Sequence, residues 1–204
     1  MLSPYKHYFG QRITTDAEGV AVDRAFLAHI NIPKAAAAKA DGIVKAAEGT
    51  NGAEAESLVV TEFLAQPDWA RNITVKVSAT TPADVAAGNI VVKGKNIAGE
   101  EITENFAIVA DTPATKTGTF AFAEITSVTI PVQDGDSVTV DVGWGEIFGL
   151  PYKLYADELV ILKLFDKAAD NATIVNDAVY IEKNTVDMSG TPDGLKDIDL
   201  YVIV

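Results

Sequence analysis

From residue 57 onward, apolar and polar positions alternate along most of the chain. In residues 72–78, Ile73, Val75 and Val77 fall on one side and Thr74, Lys76 and Ser78 on the other. That two-residue period is the mark of a half-buried strand. Comparable stretches run over residues 57–63, 89–95, 101–110, 120–130 and 137–142, with turn residues between them, as in Ala98-Gly99-Glu100 and Gln133-Asp134-Gly135-Asp136. Beyond them, residues 158–165 are apolar enough for a buried strand, and 173–175, 178–181 and 184–188 continue the rhythm. Residues 198–204 are too apolar for a free tail and predict a central strand. Short strands punctuated by Gly and Pro, with no alternating helical pattern, predict an all-β chain. The expected architecture is an antiparallel β-sandwich or a barrel-like, Ig-like domain, not a parallel α/β sheet.

The first 56 residues follow a different pattern. Residues 1–30 scatter the aromatics Tyr5, Tyr8, Phe9 and Phe26 among polar residues and hold the cations Lys6, Arg12 and Arg24. Such a segment is either a terminal strand packed on its own domain or an extended arm that grips a neighbour. Residues 31–56 are rich in alanine, which favours helix, and Pro33 suits a first helical turn. Asp41-Gly42 interrupts any apolar stripe, so a loop with at most one short helix is expected. The division is an arm and alanine-rich loop region over 1–56 and a β-sandwich domain over 57–204.

At the end of the main strand series lies Gly143-Trp144-Gly145-Glu146-Ile147-Phe148-Gly149-Leu150-Pro151-Tyr152. The residues Gly143, Trp144, Gly145, Gly149, Leu150 and Pro151 read as a structural turn, a joint locked onto the core by its apolar side chains. It contains no nucleophile, metal cluster or phosphate cradle.

Catalytic chemistry is sparse elsewhere too. The chain has no cysteine, which removes disulfides, thiolate metal sites and cysteine nucleophiles together. Two histidines, His7 and His29, are too few for a histidine-rich metal centre, so no metal and no cofactor are expected. No serine sits in a nucleophile elbow. The pair Asp134 and Asp136, and the group Glu100, Glu101 and Glu104, are the carboxylates a glycosidase would need. Their setting in turns and at strand edges favours solvated turn chemistry, and no catalytic residue is assigned. Trp69 and Trp144 are the side chains that would stack on a sugar, although such residues more often anchor a core.

The formal net charge is −13, which repels phosphate backbones and anionic bilayers, so neither nucleic acid nor membrane is the expected partner. The first residues show no apolar signal segment, so synthesis in the cytoplasm without export is expected.

Three blocks of sequence carry a resemblance. They are Gln66-Pro67-Asp68-Trp69-Ala70-Arg71-Asn72-Ile73-Thr74-Val75; the series over 90–104, 122–131 and 142–151; and residues 181–188 with 192–201. In this order the blocks resemble virion structural proteins of tailed bacteriophages, in particular capsid decoration or auxiliary head proteins, over roughly residues 58–204. Arg71 fits the arginine that follows the Gln-Pro-Asp turn in similar sequences, and Trp69 stands where a smaller apolar residue is usual.

The resemblance implies a non-enzymatic cement protein on the outer surface of the capsid in the virion. Its partner would be the major capsid protein, and it would act as a monomer or a homo-oligomer, with a trimer at local three-fold points among the arrangements. The arm residues Tyr5, Tyr8, Phe9, Arg12 and Arg24 are the expected capsid contacts. The alternatives are a tail, neck or baseplate component, and a carbohydrate-binding module for adsorption.

Overall fold

The computed structural model describes residues 26–52 and 54–204, together with the backbone of two short paired strands, β1 (Ile13–Thr14) and β2 (Ala21–Val22). The chain is nearly all β, with 52% strand and 5% helix. In order, the remaining strands are β3 (Leu27–Ile32), β4 (Lys39–Glu48), β5 (Leu58–Val60), β6 (Arg71–Ala79), β7 (Gly88–Lys95), β8 (Glu101–Ile108) and β9 (Thr115–Phe122). Then come β10 (Glu124–Ile130), β11 (Val138–Gly149), β12 (Val160–Phe165), β13 (Ala168–Ala169), β14 (Thr173–Val175), β15 (Thr185–Asp187) and β16 (Ile198–Ile203).

Three larger antiparallel sheets result, one of them curled into a half-barrel. The first has the order β5-β10-β7-β8, and the second β14-β15-β11-β6-β9 with β4 also paired to β11. Their inner faces share one core. Ile90, Val92, Phe106, Val128 and Ile130 come from the first sheet, and Ile73, Val75, Val77, Val140 and Val142 from the second. The alternation read from residues 72–78 is what puts those β6 side chains inside. The third sheet, β13-β12-β16-β3, buries Ile30, Ile32, Ile198, Leu200 and Val202 in a second core. Phe148, Leu150 and Val186, from β11 and the segments beside it, fill that core from the other side.

The joint predicted over residues 143–151 is not a turn. Gly143, Trp144, Gly145 and Gly149 lie within the 12-residue strand β11, and Leu150 and Pro151 follow its end. The glycines are there for close approach. A Cβ on Gly143 would overlap the Lys39 carbonyl, one on Gly145 would reach 2.5 Å from Asn72 Oδ1, and one on Gly149 would reach 2.6 Å from Ala121 Cβ. One edge of β11 pairs with β4 from Thr139 to Trp144 and then with β15 from Ile147 to Gly149. On its other edge β6 follows throughout, but its register slips between Trp144, opposite Ile73, and Phe148, opposite Arg71. The extra β11 residues form a bulge, which bends the strand from one core into the other.

Four other expectations change. The alanine-rich loop contains the 10-residue strand β4, whose Ile43 and Val44 enter the first core and whose Gly42 lies against the Trp144 ring. Ala46, at φ 46°, sits where the β4–β11 register shifts, and its N–H donates to Asp141 Oδ1 at 2.7 Å. Alanine's helical preference is a fraction of a kcal/mol per residue, and pairing with β11 overrides it. Residues 27–30, expected in the arm, belong to β3, where Ile30 is buried and the strand pairs with β16 along its length. The single strand expected over 120–130 divides at Ala123, with β9 in the second sheet and β10 in the first. Residues 178–181 form no strand; Ile181–Lys183 is a 3₁₀ turn. The predicted central strand at the C-terminal end is β16, flanked by β12 and β3.

The close approach at Gly143 predicts that Gly143→Ala destabilises the fold by about 1–3 kcal/mol, because the obstructing atom is a backbone oxygen that cannot rotate away. Urea denaturation checks this. A variant as stable as the parent would show that β4 and β11 are not in contact there.

Candidate functional site

The arm residues Tyr5, Tyr8, Phe9, Arg12 and Arg24 lie outside the described residues. Of the other sequence candidates, most are structural. Arg71 is fully buried at the point where the cores meet. Its Nη2 donates to the Ala36 carbonyl at 2.7 Å, and its Nη1 to Asp68 Oδ1 at 3.2 Å. The guanidinium carbon lies 4.3 Å from the Phe148 ring centroid. Asp68 Oδ2 in turn accepts the Ala36 N–H at 2.8 Å. Burial pushes the Arg71 guanidinium down from its usual value, against the raising effect of Asp68 and Glu146. Arginine is the residue for this position because its planar fork reaches a carboxylate and a carbonyl together while stacking on a ring.

Trp69 and Trp144 are fixed by the same region. Trp69 Nε1 donates to the Gly149 carbonyl at 2.9 Å, and Trp144 Nε1 to the Ala37 carbonyl at 3.0 Å. Trp144 is buried in the first core, so its ring offers no face to a sugar. Asp134 and Asp136 are exposed in the turn before β11, as are Glu100 and Glu101 at the start of β8. Among the described residues no group of three or more His, Cys, Asp or Glu is placed to hold a metal ion. No helix among them is long and apolar enough to cross a membrane.

Glu104 is the carboxylate with an unusual environment. It stands on β8, the edge strand of the first sheet, and its Oε1 accepts the N–H of Thr119 at 2.7 Å and of Phe120 at 3.4 Å on β9, the edge of the second. Its Oε2 is buried without a partner among the described residues. Burial raises its carboxyl above the usual value, and the bonds from Thr119 and Phe120 only partly offset this.

The surface feature that sequence reasoning missed is the outer face of the third sheet. Residues 158–165 were expected to be buried, yet Ile161 and Leu162 of β12 are 53% and 40% exposed. Leu27, opposite Ile203, is 54% exposed, and Leu162 lies opposite Tyr201. One polar group sits among them. His29 stacks on Tyr201 with centroids 4.6 Å apart, and its Nε2 lies 2.7 Å from Asp199 Oδ1, which also accepts Asn31 Nδ2 at 2.8 Å. Burial pulls the Asp199 carboxyl upward, but the bonds from Asn31 and His29 prevail and leave it below its usual value. The signal was present in β3 and β16: Leu27, His29 and Asn31, and Asp199, Tyr201 and Ile203, alternate with the buried residues and mark a second face that no other element among the described residues buries.

Comparison of the chain with protein-family profiles, curated proteins and solved structures finds no match.

Two predictions follow from these geometries. Arg71→Met should cost about 1–3 kcal/mol, because the Ala36 carbonyl loses its donor while Asp68 keeps its contact with solvent, and Arg71→Lys should recover only part because it loses the fork. Denaturation of both checks this, and a lysine variant equal to the parent would contradict the fork argument. For Glu104 the folded carboxyl titrates above its unfolded value, so its favourable contribution is complete below the unfolded value and is lost as pH rises through the folded one. Glu104→Gln should therefore gain stability relative to the parent from about pH 4 to pH 7. A difference between the two proteins that does not change with pH would contradict it.

Proposed function

We propose that the chain is a non-enzymatic virion structural protein of the tailed-phage type, which docks on the outer capsid surface and strengthens the shell. Its partner in this reading is the major capsid protein, and its location is the capsid exterior. The sequence resemblance over roughly residues 58–204 supports the class of protein. The exposed apolar side chains Leu27 and Leu162 on the outer side of the third sheet, with Ile161 exposed beside Leu162 where the register of β12 shifts, are the observation that carries the docking reading.

A shell protein has to resist separation of its neighbours, and burial of apolar surface supplies about 25 cal/mol per Å² for that purpose. Apolar side chains exposed on one sheet face, with polar groups beside them, are the kind of surface a partner protein can cover. The His29–Asp199–Asn31 group would fix orientation within such an interface, because a buried polar group demands a matching partner. The acidic balance of the chain, −13, favours a basic patch on the partner. The N-terminal arm remains part of the proposal as a second grip, and its boundary moves. β3 begins at Leu27, so an arm deletion that spares the fold ends at residue 25 rather than 30. A homo-oligomer, including a trimer, would use strand edges or sheet faces.

Two experiments test this. Gold-labelled antibody to the chain should decorate the heads of virions from a lysate that produces it. Label confined to tails or necks would move the assignment to a tail, neck or baseplate component, and unlabelled particles would overturn a virion role. In a capsid co-sedimentation assay, Leu162→Asp should weaken binding at least about tenfold while the exposed position leaves the fold intact. Undiminished binding would rule out this face.

A further inference from the structure

The edge strands β8 and β9 end their respective sheets next to each other, joined by the Glu104 hydrogen bonds. Beside them an open groove of about 320 Å³ runs between the start of β8 and the segment around the 3₁₀ turn Ile181–Lys183. Its apolar walls are Ile102 and Phe120, and Tyr180 stands at its side with half of its surface exposed. None of these residues belongs to the third sheet, so the groove is separate from the docking face.

The polar groups in the groove are of both signs and poorly partnered. The Lys183 ammonium lies 4.4 Å from the Tyr180 ring centroid and 5.6 Å from that of Phe120. Among the described residues no carboxylate lies within ion-pair distance of it. Glu182 is 8% exposed, and its carboxylate accepts one long side-chain bond, 3.4 Å from Asn96 Nδ2, a donor already engaged at 2.9 Å with Glu100. Glu101 and Thr103 complete the rim.

A ligand that fits must bring apolar faces to Tyr180 and Phe120, hydrogen-bond donors to Glu182 and Glu101, and acceptors to Lys183. It must also carry little net charge, since Lys183 repels cations and the two glutamates repel anions. A saccharide has this combination in one ring: C–H faces for stacking on an aromatic side chain, and hydroxyls that donate and accept around its edge. We infer that the groove between β8, β9 and residues 180–183 is a glycan-binding site, with Tyr180 as the stacking platform and Glu182 and Lys183 as hydroxyl partners. This inference does not depend on the capsid reading.

The test is an NMR titration of the labelled full chain with chitotriose, maltotriose and lactose. At least one should shift the amides of Thr103, Phe120 and Lys183 saturably, with a dissociation constant in about the millimolar range. Tyr180→Ala and Lys183→Met should each weaken that binding at least about fivefold; neither removes a core side chain, and Tyr180 serves its neighbours through backbone atoms. The inference is overturned if none of the three sugars shifts these amides at about 20 mM, a concentration that would populate millimolar binding. It is also overturned if the shifts map elsewhere, or if both variants bind like the parent. Saturable shifts at the groove from an uncharged, tyrosine-containing hexapeptide, with none from the sugars, would assign it to a protein chain instead.

Discussion

Strand β11 has to serve two cores at once, and much of the fold is arranged around that constraint. Its first half sends Val138, Val140 and Val142 into the core between the first two sheets, and Phe148 near its end enters the core under the third. A regular strand cannot change partners and direction without inserting residues, so the bulge between Trp144 and Phe148 is the structural consequence. Bending leaves backbone and polar groups at the junction that need partners. Asn72 supplies some of them, its Oδ1 accepting the Ile147 N–H at 3.1 Å inside the bulge. Arg71 closes the other side by tying the carbonyl of Ala36 to Asp68 beneath the Phe148 ring.

The same logic explains side-chain amides elsewhere, whether at the surface, as Gln66 is, or buried, as Asn184 is. Gln66 binds both backbone groups of Ile125, donating to its carbonyl at 3.0 Å and accepting its N–H at 2.8 Å, where the β10 register is irregular. Asn184 is fully buried and engages four backbone groups: it accepts the N–H of Leu154 and Asp177, and donates to the carbonyls of Asp177 and Tyr180. One side chain thereby fixes the irregular run between β11 and β15 and sets the backbone from which Tyr180 projects. Buried amides of this kind cost little when every donor and acceptor is matched, and they define one conformation where hydrophobic packing alone would permit several.

The legibility of the sequence followed the strength of its periodicity. β6 and β7 were plain because apolar residues recur every second position between turns that carry Gly or Pro, and β16 because its apolar run could not be a free tail. β4 was hidden: Ala, Lys and Gly say little about strands, and its register is imposed by β11, which is 95 residues away at the Ala46–Asp141 contact. The glycines of β11 looked like turn residues because glycine signals both a turn and a close backbone approach, and only the neighbouring strand decides between them. The apolar run in β12 was read as buried since hydrophobicity does not reveal whether a second layer covers a sheet. The groove near Tyr180 was out of reach for a similar reason. Its residues come from β8, β9 and a loop expected to be a strand, and no local pattern connects them.

If β11 couples the two cores as described, they lose structure together. Native-state hydrogen exchange across β6, β11 and β16 measures this directly. The account predicts that the slowest amides of all three strands share one opening free energy and one denaturant dependence, the global ones. An opening of β16 that is several kcal/mol easier and exposes much less surface, while β6 and the first half of β11 stay protected, would contradict it.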